Sequence, residues 1–247
     1  MNIALIGYGR MGKEVENLAP THGMRVIATF DIDNNRNGSG LNPETLKDSQ
    51  VCIDFSVPGE VITNLRRVAD CGKNLVIGTT GWDERIEEVK KIVEEKKIGL
   101  VHSVNFSIGM NIFLKLIEDA AKMFDRLQEY DAAVHETHHK DKLDSPSGTA
   151  LEIGKILLRT STRKKRLLAG NPEGKIRPEE LQISSTRAGS FAGVHTVMFD
   201  SIADTIELKH TAKSRAGFAL GALLAAKWIN GKRGFYTMSD VLLDVLG

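Results

Sequence analysis

At 247 residues and 27.1 kDa, the chain is long enough for one large domain or two smaller ones around a sizeable core. An apolar share of 41%, a charged share of 26% and a formal net charge of +1 exclude a disordered chain, and they leave no global field to draw nucleic acid or an anionic membrane. The two cysteines, Cys52 and Cys71, make neither a C-x-x-C pair nor a metal set, so buried or incidental thiols in a reducing cytoplasm are expected.

The N-terminus opens directly on Asn2-Ile3-Ala4-Leu5-Ile6 with no basic segment before it, which predicts no signal peptide. No apolar run approaches the length needed to span a bilayer. Asn2 to Ile6 predicts a strand ending in Gly7-Tyr8-Gly9-Arg10-Met11-Gly12. Lys13 to Leu18 predicts a helix, and Arg25 to Phe30 a second strand closing on Asp31. A G-x-G-x-x-G turn between strand and helix, with an acid nineteen residues after the last glycine, is the context of a dinucleotide site. Gly7 permits the turn, Gly9 lets backbone approach a pyrophosphate, and Gly12 lets the helix pack close to the strand. Free amides at the helix start face the phosphates, and Asp31 meets the ribose.

Residues 33 to 43 predict a surface loop, Val51 to Phe55 a buried strand, and Glu60 to Asp70 a helix. Leu75 to Ile77 form a further strand ending in Gly78-Thr79-Thr80-Gly81. Asp83 to Lys97 form a charged helix with Ile86, Val89 and Val93 on one face, and Leu100 and Val101 begin a fifth strand running toward Ser103-Val104-Asn105-Phe106. This alternation predicts a doubly wound parallel sheet with ligands at the carboxyl ends of its strands. From Ser107 to Leu127 a long helix is predicted, its core face marked by Ile112, Leu116 and Met123. Then the pattern changes. Tyr130 to Thr137 predicts a strand, Thr149 to Leu158 a helix, and Leu181 to Thr186, Val194 to Phe199 and Thr205 to His210 three further strands, giving an α+β domain with a mostly antiparallel sheet. Arg163 to Arg166 reads as a solvated basic loop, with no aromatic interleaving to suggest nucleic acid. The last predicted element, Phe218 to Trp228, is an Ala/Leu-rich helix suited to packing back on the first domain.

The chemistry concentrates in residues 135 to 150, which hold three of the seven histidines and two lysines beside a Ser-Pro-Ser-Gly turn. His135-Glu136-Thr137-His138-His139 formally satisfies the H-E-x-x-H zinc-peptidase pattern. That pattern needs a helix to bring both histidines to one metal, and here the context predicts a strand entering a loop. No metal is therefore expected. On a loop, His138 and Lys142 can converge on one substrate, the imidazole as proton donor or acceptor near neutral pH and the ammonium as a charge or second donor. Ser147-Gly148-Thr149 opens a helix whose amides can seat a carboxylate. The plainer alternative is a capped helix with exposed charges.

The run His138-His139-Lys140-Asp141-Lys142-Leu143-Asp144-Ser145-Pro146-Ser147-Gly148-Thr149-Ala150 closely resembles the substrate motif of the dihydrodipicolinate reductase family. Gly7 to Gly12, Gly78 to Gly81, Asn105 to Asn111, Arg187-Ala188-Gly189, His195 to Phe199 and His210 to Arg215 follow in the family's order. The resemblance implies NADH- or NADPH-dependent reduction of a small cyclic dicarboxylate, 4-hydroxy-tetrahydrodipicolinate, in the diaminopimelate route to lysine. It implies His138 as the proton donor or acceptor and Lys142 as a second donor, with His139, Gly148 and Thr149 holding substrate. Gly7, Tyr8, Gly9, Arg10, Met11, Gly12, Asp31, Gly78, Thr79, Thr80, Ser103, Val104, Asn105 and Phe106 would line the cofactor. It also implies a homotetramer assembled through the second-domain sheets. The glycine turn is one residue shorter than in many members, and Asp31 favours a free ribose hydroxyl and hence NADH, with Arg10 or Arg36 as the candidates to meet a 2′-phosphate if NADPH is used. The expected layout is a Rossmann-type domain from residues 1–106 and 217–247, with residues 107–216 forming the substrate and oligomerisation domain. A non-catalytic NAD(P)H-binding sensor is the alternative from another class.

Overall fold

Residues Met1–Ile108 and Arg215–Gly247 build one unit and Gly109–Ser214 a second in the computed structural model, which describes all of residues 1–247. In the first unit strands alternate with helices: β1 (Asn2–Ile6), α1 (Arg10–Leu18), β2 (Arg25–Phe30), α2 (Pro43–Leu46), β3 (Val51–Asp54), α3 (Val61–Asp70), β4 (Asn74–Ile77), α4 (Ile86–Lys96) and β5 (Gly99–His102). The second unit follows with α5 (Ile108–Phe124), β6 (Asp131–His138), α6 (Gly148–Thr160), β7 (Arg166–Ala169), β8 (Glu180–Arg187), β9 (Val194–Asp200) and β10 (Thr205–Thr211). The chain then returns to the first unit as α7 (Ala216–Ile229), β11 (Gly234–Thr237) and α8 (Met238–Leu246).

The first sheet runs β11-β5-β4-β3-β1-β2 and is parallel throughout. Both faces are covered, so its strands are apolar at nearly every position: Ile3, Ala4, Leu5 and Ile6 are all buried. Ala4, Ile6, Cys52, Leu75, Ile77 and Leu100 share one face with Leu65 and Val68 of α3 and with Val89, Ile92 and Val93 of α4. Helix α7 packs on β3, β4 and β5 and against α1. It is so deeply enclosed that a side chain at Gly221 would collide with the Phe106 carbonyl. Chain order reverses between β1 and β3, and every strand of a parallel sheet ends at the same edge, so this unit has a crevice of the kind that binds ligands.

The second sheet, β10-β9-β6-β8-β7, is mixed, whereas mostly antiparallel pairing was expected. β9 pairs antiparallel with β6 and β10, but β8 runs parallel to β6 and β7 because α6 carries the chain across before it returns. One face packs on α5 and α6 through Val134, Leu181, Ile183, Val197, Phe199, Phe113, Ile117, Ile153 and Leu157.

Three local expectations are corrected. Leu116 and Met123 are exposed, and α5 instead buries Met110, Phe113, Ile117 and Ala121. Both stripes have helical spacing on opposite sides of the helix, and only the sheet decides between them. Arg163 to Arg166 is not a solvated loop: Lys164 is buried, pairing with Asp131 and donating to the Glu180 carbonyl, and Arg166 opens β7. Finally, β11 and α8 lie beyond the last predicted helix. The Thr237 capping box, with Asp240 three residues on, is the local signal for α8.

Asn74 ties the returning segment to the sheet. Its Nδ2 donates to the carbonyls of Ile229 (2.6 Å) and Lys232 (3.1 Å), and its Oδ1 accepts from Gly99 N at 2.8 Å. Asn74→Ala strands three backbone groups and should lower unfolding free energy by about 1–3 kcal/mol in urea titrations. An unchanged midpoint would mean that these bonds do not hold the segment.

Candidate functional site

In the first unit the Gly-rich turn sits at the carboxyl end of β1. Gly7 has φ +83°, donates to the Phe30 carbonyl at 2.8 Å, and a Cβ there would come 2.4 Å from the Phe55 carbonyl oxygen. A Cβ on Gly12 would meet the Gly7 carbonyl oxygen at 2.4 Å. Packing thus demands both glycines. Gly9 is different. It is exposed, caps α1 without a side-chain bond, and a Cβ there would touch nothing within 4 Å. Its missing side chain leaves backbone open where the first amides of α1, beginning with Arg10 and Met11, lack a side-chain acceptor. Beside it, the Tyr8 hydroxyl bonds Glu16.

Asp31 directly follows β2, exposed, its Oδ1 accepting from Ile32 N at 2.9 Å. Gly7, Asp31, Asn35, Arg36, Ser56 and Asn64 are among the residues around a cleft of about 470 Å³. An open glycine at a helix start, with a carboxylate at the next strand end, fits a dinucleotide. Ser56 and Asn64 escaped the sequence reading because no local motif marks them. They are held by Asp54, a fully buried carboxylate that accepts from Ser56 N (2.7 Å), Asn64 Nδ2 (3.1 Å) and Thr79 Oγ1 (3.2 Å). Burial raises the Asp54 pKa against these bonds.

The other predicted cofactor residues lie on the same sheet edge. Thr79 is buried, its carbonyl accepting from Trp82 Nε1 at 2.6 Å. Gly78 makes room for the Phe55 ring, and Thr80 is exposed. Ser103 Oγ donates to the Asn105 carbonyl at 2.8 Å, shaping the loop after β5. Val104 is exposed, whereas Phe106 is buried edge-on to Phe55, so its side chain serves the core.

In the second unit a charged cluster is built by strand register. Glu136 stands opposite Ser185 of β8 and His195 of β9, and His138 stands opposite Arg187. Period-two alternation puts Glu136 and His138 on the same face as Val134, the helix-covered side. The Glu136 side chain has no exposed surface. Its Oε1 accepts from Arg187 Nη2 (2.7 Å), Ser185 Oγ (2.7 Å) and Ser147 N (3.0 Å). Oε2 lies 2.7 Å from His138 Nδ1 and 3.8 Å from His195 Nε2. The 2.7 Å contact is an ion-pair distance without hydrogen-bond alignment, and neither atom has another partner. The two imidazoles meet edge-on at 5.2 Å, and His195 Nε2 lies 3.2 Å from Ser147 Oγ.

Burial pulls the Glu136 pKa up, but the Ser147, Arg187 and Ser185 donors overcome it and hold the carboxyl at about 2. Burial, aided by His138, pushes His195 down to about 4. His138 is also lowered by burial, with Glu136 opposing and Lys142 and Arg187 reinforcing. Lys142 is thus brought within electrostatic reach of His138, and its Nζ pairs with Asp144 at 2.7 Å. His139 N donates to the Phe191 carbonyl at 2.9 Å. Gly148 and Thr149 form the first turn of α6, capped by Ser147, and a Cβ on Gly148 would touch nothing within 4 Å. This helix start therefore has the same open backbone as Gly9.

The zinc-peptidase pattern fails on geometry. It lies on β6, where His135 points to the opposite face and meets Ser184 Oγ at 2.8 Å. Glu136, His138 and His195 do offer three atoms within 4.8 Å of one another. However, a tetrahedral zinc with bonds near 2.0 Å keeps its ligands roughly 3.3 Å apart. The Nδ1–Oε2 approach is closer than that, and Arg187 already neutralises the carboxylate.

Two outcomes follow from this cluster. A Cβ on Gly193 would sit 2.9 Å from His138 Nε2, so Gly193→Ala should obstruct that nitrogen and reduce turnover at least tenfold while cofactor affinity holds. An unaffected kcat would show that Nε2 is not used. For His195, whose ordinary pKa is 6.5, the folded state favours the neutral ring, so its stabilisation is full above pH 6.5 and is lost as pH falls through about 4. Glu136 loses its contribution from 4.5 down through about 2. Urea midpoints should fall on acidification in these two ranges, and His195→Gln should shrink the upper one, leaving the part due to His138, His102 and His210, which burial also lowers.

The family model described as Dihydrodipicolinate reductase, N-terminus, matches residues 1–106, and Dihydrodipicolinate reductase, C-terminus, matches 109–242. The 4-hydroxy-tetrahydrodipicolinate reductase of Christiangramia forsetii is 37% identical, covering 99% of both chains. That of Archaeoglobus fulgidus is 39% identical over 98% of this chain and 100% of its own. Among solved structures, dipicolinate-bound dihydrodipicolinate reductase from a Paenisporosarcina species shares the fold with a TM-score of 0.77 at 24% identity, over 96% of this chain and 97% of that one. An amine dehydrogenase from Mycobacterium smegmatis aligns at 0.61 and 10% identity, covering 97% and 95%. On two family models that together span nearly the whole chain, and on full-length relatives at this identity, the chain belongs to the dihydrodipicolinate reductase family.

Proposed function

We propose that the protein reduces 4-hydroxy-tetrahydrodipicolinate to tetrahydrodipicolinate with NADH or NADPH, in the diaminopimelate route to lysine. The observation that carries this reading is full-length identity of 37–39% to relatives bearing that activity's name. The second unit adds its chemical support: a buried His138–Glu136 contact beside Lys142, next to an open helix start. Bound NAD(P)H supplies the hydride.

The chain's own residues supply the rest. Gly148 and Thr149 seat a carboxylate of the cyclic substrate at the positive end of α6. His139 contacts substrate, and Lys142 balances its negative charge and is a second proton donor. The 4-hydroxyl leaves with a neighbouring ring proton as water, which puts a second double bond in conjugation with the imine. His138 gives up its proton from Nε2 to the ring as that conjugated imine takes the hydride. In the first unit, Gly7 to Gly12 hold the pyrophosphate, Asp31 takes the adenosine ribose, and Gly78 to Thr80 with Ser103 to Phe106 form the wall at the ends of β4 and β5. Asp31 favours NADH, while Arg36 on the same cleft supports use of NADPH.

The uncovered face of the second-unit sheet, carrying Ala133, His135 and Met198, supports assembly of copies into a homotetramer. No helix is long and apolar enough to cross a membrane, and two unpaired thiols suit the reducing cytoplasm in which we place the enzyme.

The test is loss of NADH absorbance on adding the cyclic imine. His138→Gln and Lys142→Ala should each lower kcat by about 10²–10⁴. Near-normal turnover at saturating substrate in either variant would remove that residue from the scheme. Tight NADH binding with no turnover by the unaltered protein would instead favour a sensor.

A further inference from the structure

We propose that Glu136 is a positioning residue: through Oε2 it fixes the orientation and tautomer of the His138 imidazole so that Nε2 is the nitrogen presented to substrate. The two carboxylate oxygens do different things. Oε1 accepts three donors, from Arg187, Ser185 and Ser147, which is ample for a purely structural carboxylate. Oε2 is buried with no aligned donor, and the groups it faces are the imidazole nitrogens of His138 at 2.7 Å and His195 at 3.8 Å. A buried carboxylate oxygen is costly to leave unpaired, so it draws the Nδ1 proton toward itself. A small turn of the His138 ring closes the bond, and bonds of this kind commonly tighten when substrate arrives.

With Nδ1–H held by Glu136, the opposite nitrogen lies where Gly193 keeps space clear. Proton transfer from Nε2 to substrate then leaves a neutral ring already in its stable tautomer, with Nδ1–H against a carboxylate. The other groups around His138 are Lys142 from the loop, which is paired with Asp144, Arg187 from β8, and His195 from β9, behind which His210 of β10 also acts on His195. Lys142 and Arg187 act against a charged imidazole, and Glu136 is the anion in contact that acts for it. Removing its charge, therefore, shifts the pH at which His138 can serve as the acid.

This inference rests on the role of His138 proposed above, and two measurements separate the two ideas. The first is the nitrogen-15 imidazole spectrum of the unaltered full chain, with the His138 signals identified by their loss in His138→Gln. At a pH where the ring is neutral, the Nδ1–H tautomer is expected, and a dominant Nε2–H tautomer would overturn the proposal. It needs neither turnover nor a Glu136 variant. The second is the pH profile of kcat. Glu136→Gln should lower kcat about 100-fold and move its alkaline limb down by roughly one unit, with KM for NADH changing less, while Glu136→Asp keeps the limb in place. A Glu136→Gln enzyme that lost only stability, with the limb unmoved, would make Glu136 structural and sink the idea. Should Glu136→Gln not fold, the tautomer decides alone. Absence of imine reduction by the unaltered chain would defeat the functional reading while leaving the tautomer result to stand for Glu136.

Discussion

The second unit depends on the enclosure of one negative charge. Burying a carboxylate is expensive, and breaking a buried ion pair by removing one partner typically costs about 3–5 kcal/mol. Glu136 is tolerated because β6, β8 and β9 meet in a register that surrounds it with Ser185, Arg187 and His195, while the start of α6 adds the Ser147 amide. A one-residue slip of β6 would turn Glu136 and His138 to the uncovered face together with every apolar side chain on the core side. Register is therefore enforced twice, by the hydrophobic core at one end of the strand and by the charge at the other. The polar cluster continues the core face of the sheet.

The first unit meets a comparable demand with different means. Its sheet is apolar on both faces, so polar groups collect at the carboxyl edge, where Asp31, the Gly7 backbone, Ser56, Thr79 and Ser103 follow one another across the strand ends. Asp54 plays there the part that Glu136 plays in the second unit: a buried acid that holds the side chains and amides around an opening. The difference lies in the partners. Asp54 is met by neutral donors and its pKa rises with burial, whereas Glu136 has a guanidinium and stays ionised.

Much of this architecture was legible in the sequence wherever the signal was local. Strand, glycine turn, helix and acid in order announced the dinucleotide edge, and Ser147-Gly148-Thr149 announced a helix start. Where the signal required pairing at a distance, reading failed. Glu136 appeared only inside a misleading metal pattern, although its even spacing from Val134 on a predicted strand marks it as a buried charge. Ser185, Arg187 and His195 lie some fifty residues away, and nothing short of strand register connects them. Helix α5 failed differently: it carries two apolar stripes, and the sequence does not say which one faces the sheet. The interruption of α6 between β6 and β8 likewise decides the parallel pairing that strand composition alone did not.

The way the chain leaves its first unit and comes back has a consequence for biosynthesis. When residue 108 emerges from the ribosome, the sheet lacks β11 along β5 and the deep helix α7 that fills its other face, and Asn74 has Gly99 but not the carbonyls of Ile229 and Lys232. The second unit is contiguous and has all its strands once Ser214 is out. Folding during translation thus runs against chain order, the later-made unit being finished before the earlier one. Until α7 is released, the sheet face that it covers on β3, β4 and β5 has no helix from this segment to bury it.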